Sequence, residues 1–127
     1  MRKHRILYVE DHEDTRDLVR LVLQQRDYDV VTTDNIASAL TLADGGTFDL
    51  YLLDSRLPDG SGIELCKQLR NLDGRTPIVF YSAAAYEVDR HTAMQSGAQG
   101  YLVKPTANGE LTGLLSELIA KRHDGCA

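Results

Sequence analysis

The chain of 127 residues has no tryptophan, which removes the usual fluorescence reporter of ligand binding. Its two cysteines, Cys66 and Cys126, lie far apart and form neither a CxxC pair nor any metal-ligand spacing. They are read as reduced thiols of a cytoplasmic protein, Cys66 in a helix core and Cys126 in a tail. No apolar h-region follows the basic Arg2, Lys3 and Arg5, only one short strand, so neither a signal peptide nor a membrane span is expected. Positive charge is scarce: 14 Lys and Arg stand against 19 Asp and Glu, a net charge of −5. That balance argues against a DNA-binding or anionic-membrane surface and favours a protein partner or a cation. Linkers, internal repeats and low-complexity runs are also missing. A single domain over residues 1–127 is expected, with a core of about 4–121, a tail of 122–127, and any output domain outside this chain.

What is present is a regular alternation of apolar runs and amphipathic segments, the pattern of a βα-repeating parallel sheet. Strands are expected near Ile6–Val9, Asp29–Thr33, Leu50–Leu53, Pro77–Tyr81 and Gly100–Val103. Helices follow at about Asp14–Arg26, with Leu18, Leu21, Val22 and Gln25 as its inner stripe, and at Ile36–Asp44, with Ala39, Leu40 and Ala43. The third, Gly62–Asn71, uses Ile63, Leu65, Cys66 and Leu69. The fourth, Ala85–Ser96, has a thin stripe of Val88, Ala93 and Met94, and such a helix docks loosely enough to move. The fifth, Asn108–Lys121, uses Leu111, Leu114, Leu115, Leu118 and Ile119.

Three of the strand ends carry complementary chemistry. Val9 runs into Glu10 and Asp11, Leu53 into Asp54, and Val103 into Lys104–Pro105. Open parallel α/β sheets bind ligands at the carboxyl ends of their strands, so three acids and a lysine converge on one edge. Such acids persist together at neutral pH when a cation compensates them, and a hard divalent ion with oxygen ligands, Mg²⁺, fits. An Asp nucleophile for phosphoryl transfer also needs a cationic side chain and a hydroxyl donor, which Lys104 and Ser82 supply. Each residue alone has a simpler use. Glu10 and Asp11 suit a helix N-terminus, Ser82 a turn or cap, and Lys104 a loop before proline. Asp54 and Asp59 suit turns around Pro58 and Gly60, and Tyr101 an edge strand. Gly60–Ser61–Gly62 reads as turn chemistry, and His4, His12, His91 and His123 as surface residues without metal or phosphotransfer spacing.

Taken together, Val9–Glu10–Asp11, Leu53–Asp54–Ser55–Arg56–Leu57–Pro58–Asp59–Gly60, Tyr81–Ser82–Ala83 and Tyr101–Leu102–Val103–Lys104–Pro105 resemble the receiver domain of two-component response regulators, of the chemotaxis type. The resemblance covers nearly the whole chain. It implies a flavodoxin-like (βα)5 doubly wound parallel sheet of strand order 2-1-3-4-5. It also implies Asp54 as phosphoacceptor, Asp11 and Asp54 as Mg²⁺ (or Mn²⁺) ligands, Glu10 acting through a metal-bound water, and the Arg56 carbonyl completing the set. Lys104 would pair with the phosphoryl group, Ser82 would donate its hydroxyl to it, and Tyr101 would act as the switch aromatic; the Lys104–Pro105 bond would be cis. The donor would be a histidine kinase or histidine phosphotransfer protein. The output would be a protein target on the face of the fourth helix, fifth strand and fifth helix, with no nucleic acid bound directly and the chain a monomer or a phosphorylation-dependent dimer. Such a protein is no conventional enzyme, yet it catalyses its own Asp phosphorylation and a slow autodephosphorylation. Arg56 and Ala84 occupy the positions that tune phosphoryl lifetime, and Ala84 cannot position a water by hydrogen bonding, which favours slower hydrolysis. Glu10 stands where Asp is more usual, and Ser82 where Thr is also common.

Other chemistries fit less well. A haloacid-dehalogenase-type phosphatase wants a second Asp where Arg56 stands. A flavodoxin-like nucleotide site wants a Gly/Ser/Thr-rich loop where Glu10–Asp11–His12–Glu13 would repel phosphate. A receiver fold serving only as a docking surface is the remaining alternative, and every reactive position is filled by a competent residue.

Overall fold

The computed structural model describes residues 3–124. Five parallel strands, β1 (Arg5–Val9), β2 (Asp29–Thr33), β3 (Leu50–Leu53), β4 (Ile78–Ser82) and β5 (Gly100–Val103), form one sheet in the order β2-β1-β3-β4-β5. The helices are α1 (Glu13–Gln25), α2 (Ile36–Gly45), α3 (Gly62–Leu72), α4 (Glu87–Gln95) and α5 (Asn108–Asp124). This is the flavodoxin-like, doubly wound arrangement. The chain reverses order between β2-β1 and β1-β3-β4-β5, so the carboxyl ends of β1 and β3 flank the crevice where ligands bind in such sheets.

Strand alternation splits the core in two. Leu7, Val9, Tyr51, Leu53, Ile78 and Phe80 face α2, α3 and α4. Ile6, Tyr8, Leu50, Leu52, Val79 and Tyr81 face α1 and α5. With both faces covered, β1, β3 and β4 read as continuous apolar runs rather than alternating ones. Burying each large aliphatic side chain contributes about 1.5–3 kcal/mol, which is why these strands hold the site's backbone firmly.

Three helices differ from the sequence expectation, α1 and α4 in the face they bury and α5 in its length. On α1 the buried residues are Val19 and Leu23, while Leu18 is 63% and Leu21 52% exposed and Gln25 faces solvent. The helix carries two overlapping rows with three- and four-residue spacing, and at about 100° per residue only one can meet the sheet. On α4 Ala93 is the buried residue and Val88 is 66% exposed, because the two lie five residues apart and point in different directions. The fifth helix also runs past Lys121 to Asp124, so residues 122–124 of the expected tail are helical. A Lys121–Glu117 ion pair and an Arg122 hydrogen bond to the Phe48 carbonyl (3.0 Å) support that extension. Cys126 lies outside the described residues.

Candidate functional site: an acidic pocket at the carboxyl edge of the sheet

Ladder hydrogen bonds carry past the strand ends and fix where each reactive residue begins. Glu10 N–H donates to the Thr33 carbonyl (3.0 Å), Asp54 N–H to Val9 (3.1 Å), and Lys104 N–H to Ser82 (2.8 Å). β1, β3, β4 and β5 therefore deliver Glu10, Asp54, Ser82 and Lys104 to one edge. Beyond Asp54 the chain folds into a short antiparallel pair, Arg56–Leu57 with Gly60–Ser61, and enters α3 capped by Ser61, whose hydroxyl accepts from Glu64 N–H (3.2 Å). Gly62 N–H donates to the Ser55 carbonyl (2.8 Å), and a Cβ on Gly62 would overlap the Asp54 carbonyl oxygen, so only glycine allows this close return.

Glu10, Asp11 and Asp54 each offer a carboxylate oxygen, all within 4.8 Å of one another. Glu10 is fully buried, Asp54 half-buried and Asp11 exposed. Lys104 Nζ makes a close ion pair with Glu10 Oε1 and stands 3.5 Å from Asp54 Oδ2, lying 5.6 Å above the Tyr81 ring. Asp54 Oδ1 accepts from Ser55 N–H (2.7 Å), which orients the carboxylate. Burial pushes the Glu10 carboxyl above the usual carboxylate range; the Asp54 carboxylate adds to that push and the Lys104 ammonium opposes it. One ammonium against three acids leaves the pocket short of positive charge. Three hard oxygen donors in that state fit a divalent cation such as Mg²⁺, bound by carboxylates and waters.

Ser82 is buried, and its Oγ accepts from Ala84 N–H (3.1 Å), leaving the hydroxyl proton for another acceptor. Tyr101 stacks on Phe80, with ring centroids 5.9 Å apart, and its hydroxyl donates to the Ala84 carbonyl (2.7 Å). It thus ties β5 to the loop between β4 and α4. The Lys104–Pro105 peptide is cis. An open cleft of about 970 Å³ runs from Asp54, Arg56 and Lys104 past Ser82 and Ala84 to Asp89 and Thr92 of α4. The Arg56 side chain is exposed at its rim.

Sequence reasoning missed four neighbours. His12, not Glu10 or Asp11, is the N-cap of α1, its Nδ1 accepting from Thr15 N–H (3.3 Å). Arg16 donates to the Glu10 carbonyl (3.0 Å) from α1. Asp59 reaches across to cap α2, accepting from Ile36 N–H (2.8 Å) and Ala37 N–H (3.1 Å), and these bonds lower its carboxyl below the usual range. Tyr8, fully buried, donates its hydroxyl to Glu10 Oε1 (3.3 Å); burial first and the Glu10 carboxylate second hold its phenol protonated. Strand periodicity could have found Tyr8, since residues two apart share a face. Of the other histidines, His91 is exposed and His4 half-buried, 3.7 Å from the buried Asp49.

The sequence profile of the response regulator receiver domain matches residues 6–116. The chain belongs to that family. A receiver-domain structure from Pseudomonas aeruginosa, taken from a sensor histidine kinase with a magnesium ion coordinated in its active-site cleft, is 29% identical and has a TM-score of 0.87 over 94% of this receiver and 99% of that chain. A CheY-like receiver protein from Methanospirillum hungatei superposes with a TM-score of 0.93 at 23% identity over 98% and 99% of the two chains, a likeness of fold. The nisin biosynthesis regulatory protein NisR of Lactococcus lactis is 35% identical over 93% of this receiver and 48% of its own length. The receiver spans about half the length of the curated relatives it matches. Among the described residues no helix is long and apolar enough to cross a membrane.

Proposed function

We propose that this receiver takes a phosphoryl group from a phosphohistidine onto Asp54 and passes the change to a protein partner. The observation that carries the reading is the shared lysine: Lys104 Nζ is paired with Glu10 and stands 3.5 Å from Asp54 Oδ2, one cation serving both the resting acids and the reacting carboxylate. An Asp54 carboxylate oxygen attacks phosphorus, the P–N bond breaks, and the imidazole leaves with the electron pair and takes a proton. Attack by water on the resulting acyl phosphate restores the carboxylate and releases inorganic phosphate. Asp11, Asp54, a water held by Glu10 and the Arg56 carbonyl would hold Mg²⁺ (or Mn²⁺). The ion supplies charge neutralisation for the phosphoryl oxygens. The magnesium in the Pseudomonas aeruginosa relative supports that assignment.

The chain's own residues do the rest. Lys104 turns from Glu10 toward the phosphoryl oxygens, and Ser82, whose Oγ is held by Ala84 N–H, donates its proton to one of them. Moving Ser82 pulls on Ala84, whose carbonyl holds the Tyr101 hydroxyl, so the pull reaches β5. α4 has one buried residue, Ala93, and shifts at small cost, changing the α4-β5-α5 face that a partner reads. Arg56 at the cleft rim and Ala84, which offers no side chain to position water, set a long phosphoryl lifetime. The exposed Leu18 and Leu21, one and two turns into the helix that starts at the pocket, offer an apolar landing for the histidine-bearing partner. With a net charge of −5 this chain makes no direct nucleic-acid contact, and it works as a monomer or a phosphorylation-dependent dimer.

Intact mass spectrometry after incubation with acetyl phosphate, with and without Mg²⁺, tests the reading. One Mg²⁺-dependent, base-labile phosphoryl adduct, absent in Asp54→Asn, is expected. A folded chain that takes up none from acetyl phosphate or from a phosphohistidine donor would leave only a docking role.

A further inference from the structure

Tyr8 is a phenol two residues before Glu10 in β1, on the face covered by α1 and α5. Its ring is completely buried and its hydroxyl donates to Glu10 Oε1 at 3.3 Å, the same oxygen that Lys104 holds. Glu10 is itself fully buried, and its other oxygen accepts from His12 N–H at 3.3 Å. The carboxylate therefore has three donors in the resting pocket, of which only Lys104 is charged and only Lys104 has a second claimant, Asp54 at 3.5 Å. A buried carboxylate that loses its direct cation contact is destabilised, and an ion it would reach only through a water replaces that contact incompletely, so a lysine that serves the phosphoryl group leaves Glu10 leaning on its other donors.

We infer that Tyr8 is a positioning residue for phosphoryl transfer: its hydroxyl holds Glu10 in place so that Lys104 can transfer from Glu10 to the phosphoryl group on Asp54. The inference deepens the proposed function and rests on it. The Tyr8 bond matters little while Lys104 compensates Glu10 and more once Lys104 has moved, because a hydrogen bond to a less compensated carboxylate is stronger. Tyr8 thus favours the phosphorylated state over the resting one. His12 N–H and the Arg16 bond to the Glu10 carbonyl steady the backbone, but neither reaches the oxygen that Lys104 vacates.

Tyr8→Phe removes the hydroxyl and keeps the ring, and its NMR spectrum reports the fold. Beryllofluoride, a phosphoryl mimic, is titrated by NMR into the Mg²⁺-saturated wild type, Tyr8→Phe, Glu10→Ala and the double variant. The expected result is about tenfold weaker uptake in Tyr8→Phe, the scale of one hydrogen bond to a charged group. The loss should vanish in the Glu10→Ala background, where Lys104 has no carboxylate to leave. A side chain acting only through packing would give the same loss in both backgrounds. Uptake by Tyr8→Phe within twofold of wild type, or an equal loss in both backgrounds, overturns the inference alone. A wild type that binds no beryllofluoride overturns the phosphoryl reading and this inference with it.

Discussion

Gly62→Ala is the sharpest test of how the pocket is built. The added methyl would overlap the Asp54 carbonyl oxygen and stand 3.0 Å from that carbonyl's carbon and 3.0 Å from Phe80 Cε2. Ordinary carbon contacts lie at about 3.5–4.0 Å, so the first turn of α3 must retreat by at least about half an ångström. Neither obstacle yields easily, since one is backbone at the end of a central strand and the other a fully buried ring. Overpacking of this kind costs about 1–3 kcal/mol, and the rigid neighbours put this site near about 3. Gly113→Ala is the control: nothing lies within 4 Å of its Cβ position on α5, so the change should instead stabilise by about 0.5–1 kcal/mol through helix propensity. Urea denaturation followed by far-UV circular dichroism measures both. For a chain of this size the alanine at 62 should also lower Tm by roughly 10 °C. A Gly62→Ala chain within about 0.5 kcal/mol of wild type, the noise of a neutral surface change, would refute the close-return argument.

Other consequences follow from the same geometry. Saturating Mg²⁺ at about 100 times its Kd should stabilise the chain by about 2.7 kcal/mol, a chelator should reverse it, and Asp11→Asn should lose most of the effect in a thermal melt. The Glu10 carboxyl is raised in the fold, so its contribution to stability is present below the ordinary glutamate range and lost as pH rises through its folded value. Metal-free urea melts from mildly acidic to neutral pH should show that decline, and an unchanged slope in Glu10→Gln would place its source elsewhere. Leu18→Glu with Leu21→Glu should leave stability within about 0.5 kcal/mol while slowing uptake from a phosphohistidine partner and sparing acetyl phosphate; equal rates from both donors would remove α1 from the docking surface. Tyr101→Phe loses the bond to Ala84, worth about 1 kcal/mol, and hydrogen exchange should quicken at the backbone amides of the β4–α4 loop.

The strands were legible because β1, β3 and β4 are buried on both faces and read as unbroken apolar runs closed by charged or hydroxyl residues, while their order in the sheet came from the resemblance to receiver domains. The convergence of Glu10, Asp11, Asp54 and Lys104 followed from topology alone, since parallel strands put all their carboxyl ends on one edge. The face of α1 was not legible: Leu18, Leu21, Val22 and Gln25 make as regular a row as Val19 and Leu23, and periodicity cannot choose between two rows on one helix. Two members of the row that lost, Leu18 and Leu21, are left as exposed apolar surface on α1. Long-range caps were invisible for another reason. Asp59 sits in a turn sequence that explains it locally, and nothing near it in the chain tells that it bonds the start of α2, 23 residues earlier. Tyr8 reads at first as one more core residue of an apolar strand, and only its two-residue spacing from Glu10 tells that its hydroxyl shares that residue's face.

The Lys104–Glu10 pair joins residues 94 positions apart. The clustered acids Glu10, Asp11 and Asp54 come from the first 54 residues, while the one ammonium that reaches them among the described residues comes from the last fifth of the chain. A chain cut short of Lys104, or one still emerging during synthesis, holds the three carboxylates without the ammonium that pairs with Glu10 and Asp54 in the complete fold. Completion of this charge pairing therefore reports that the final strand has docked.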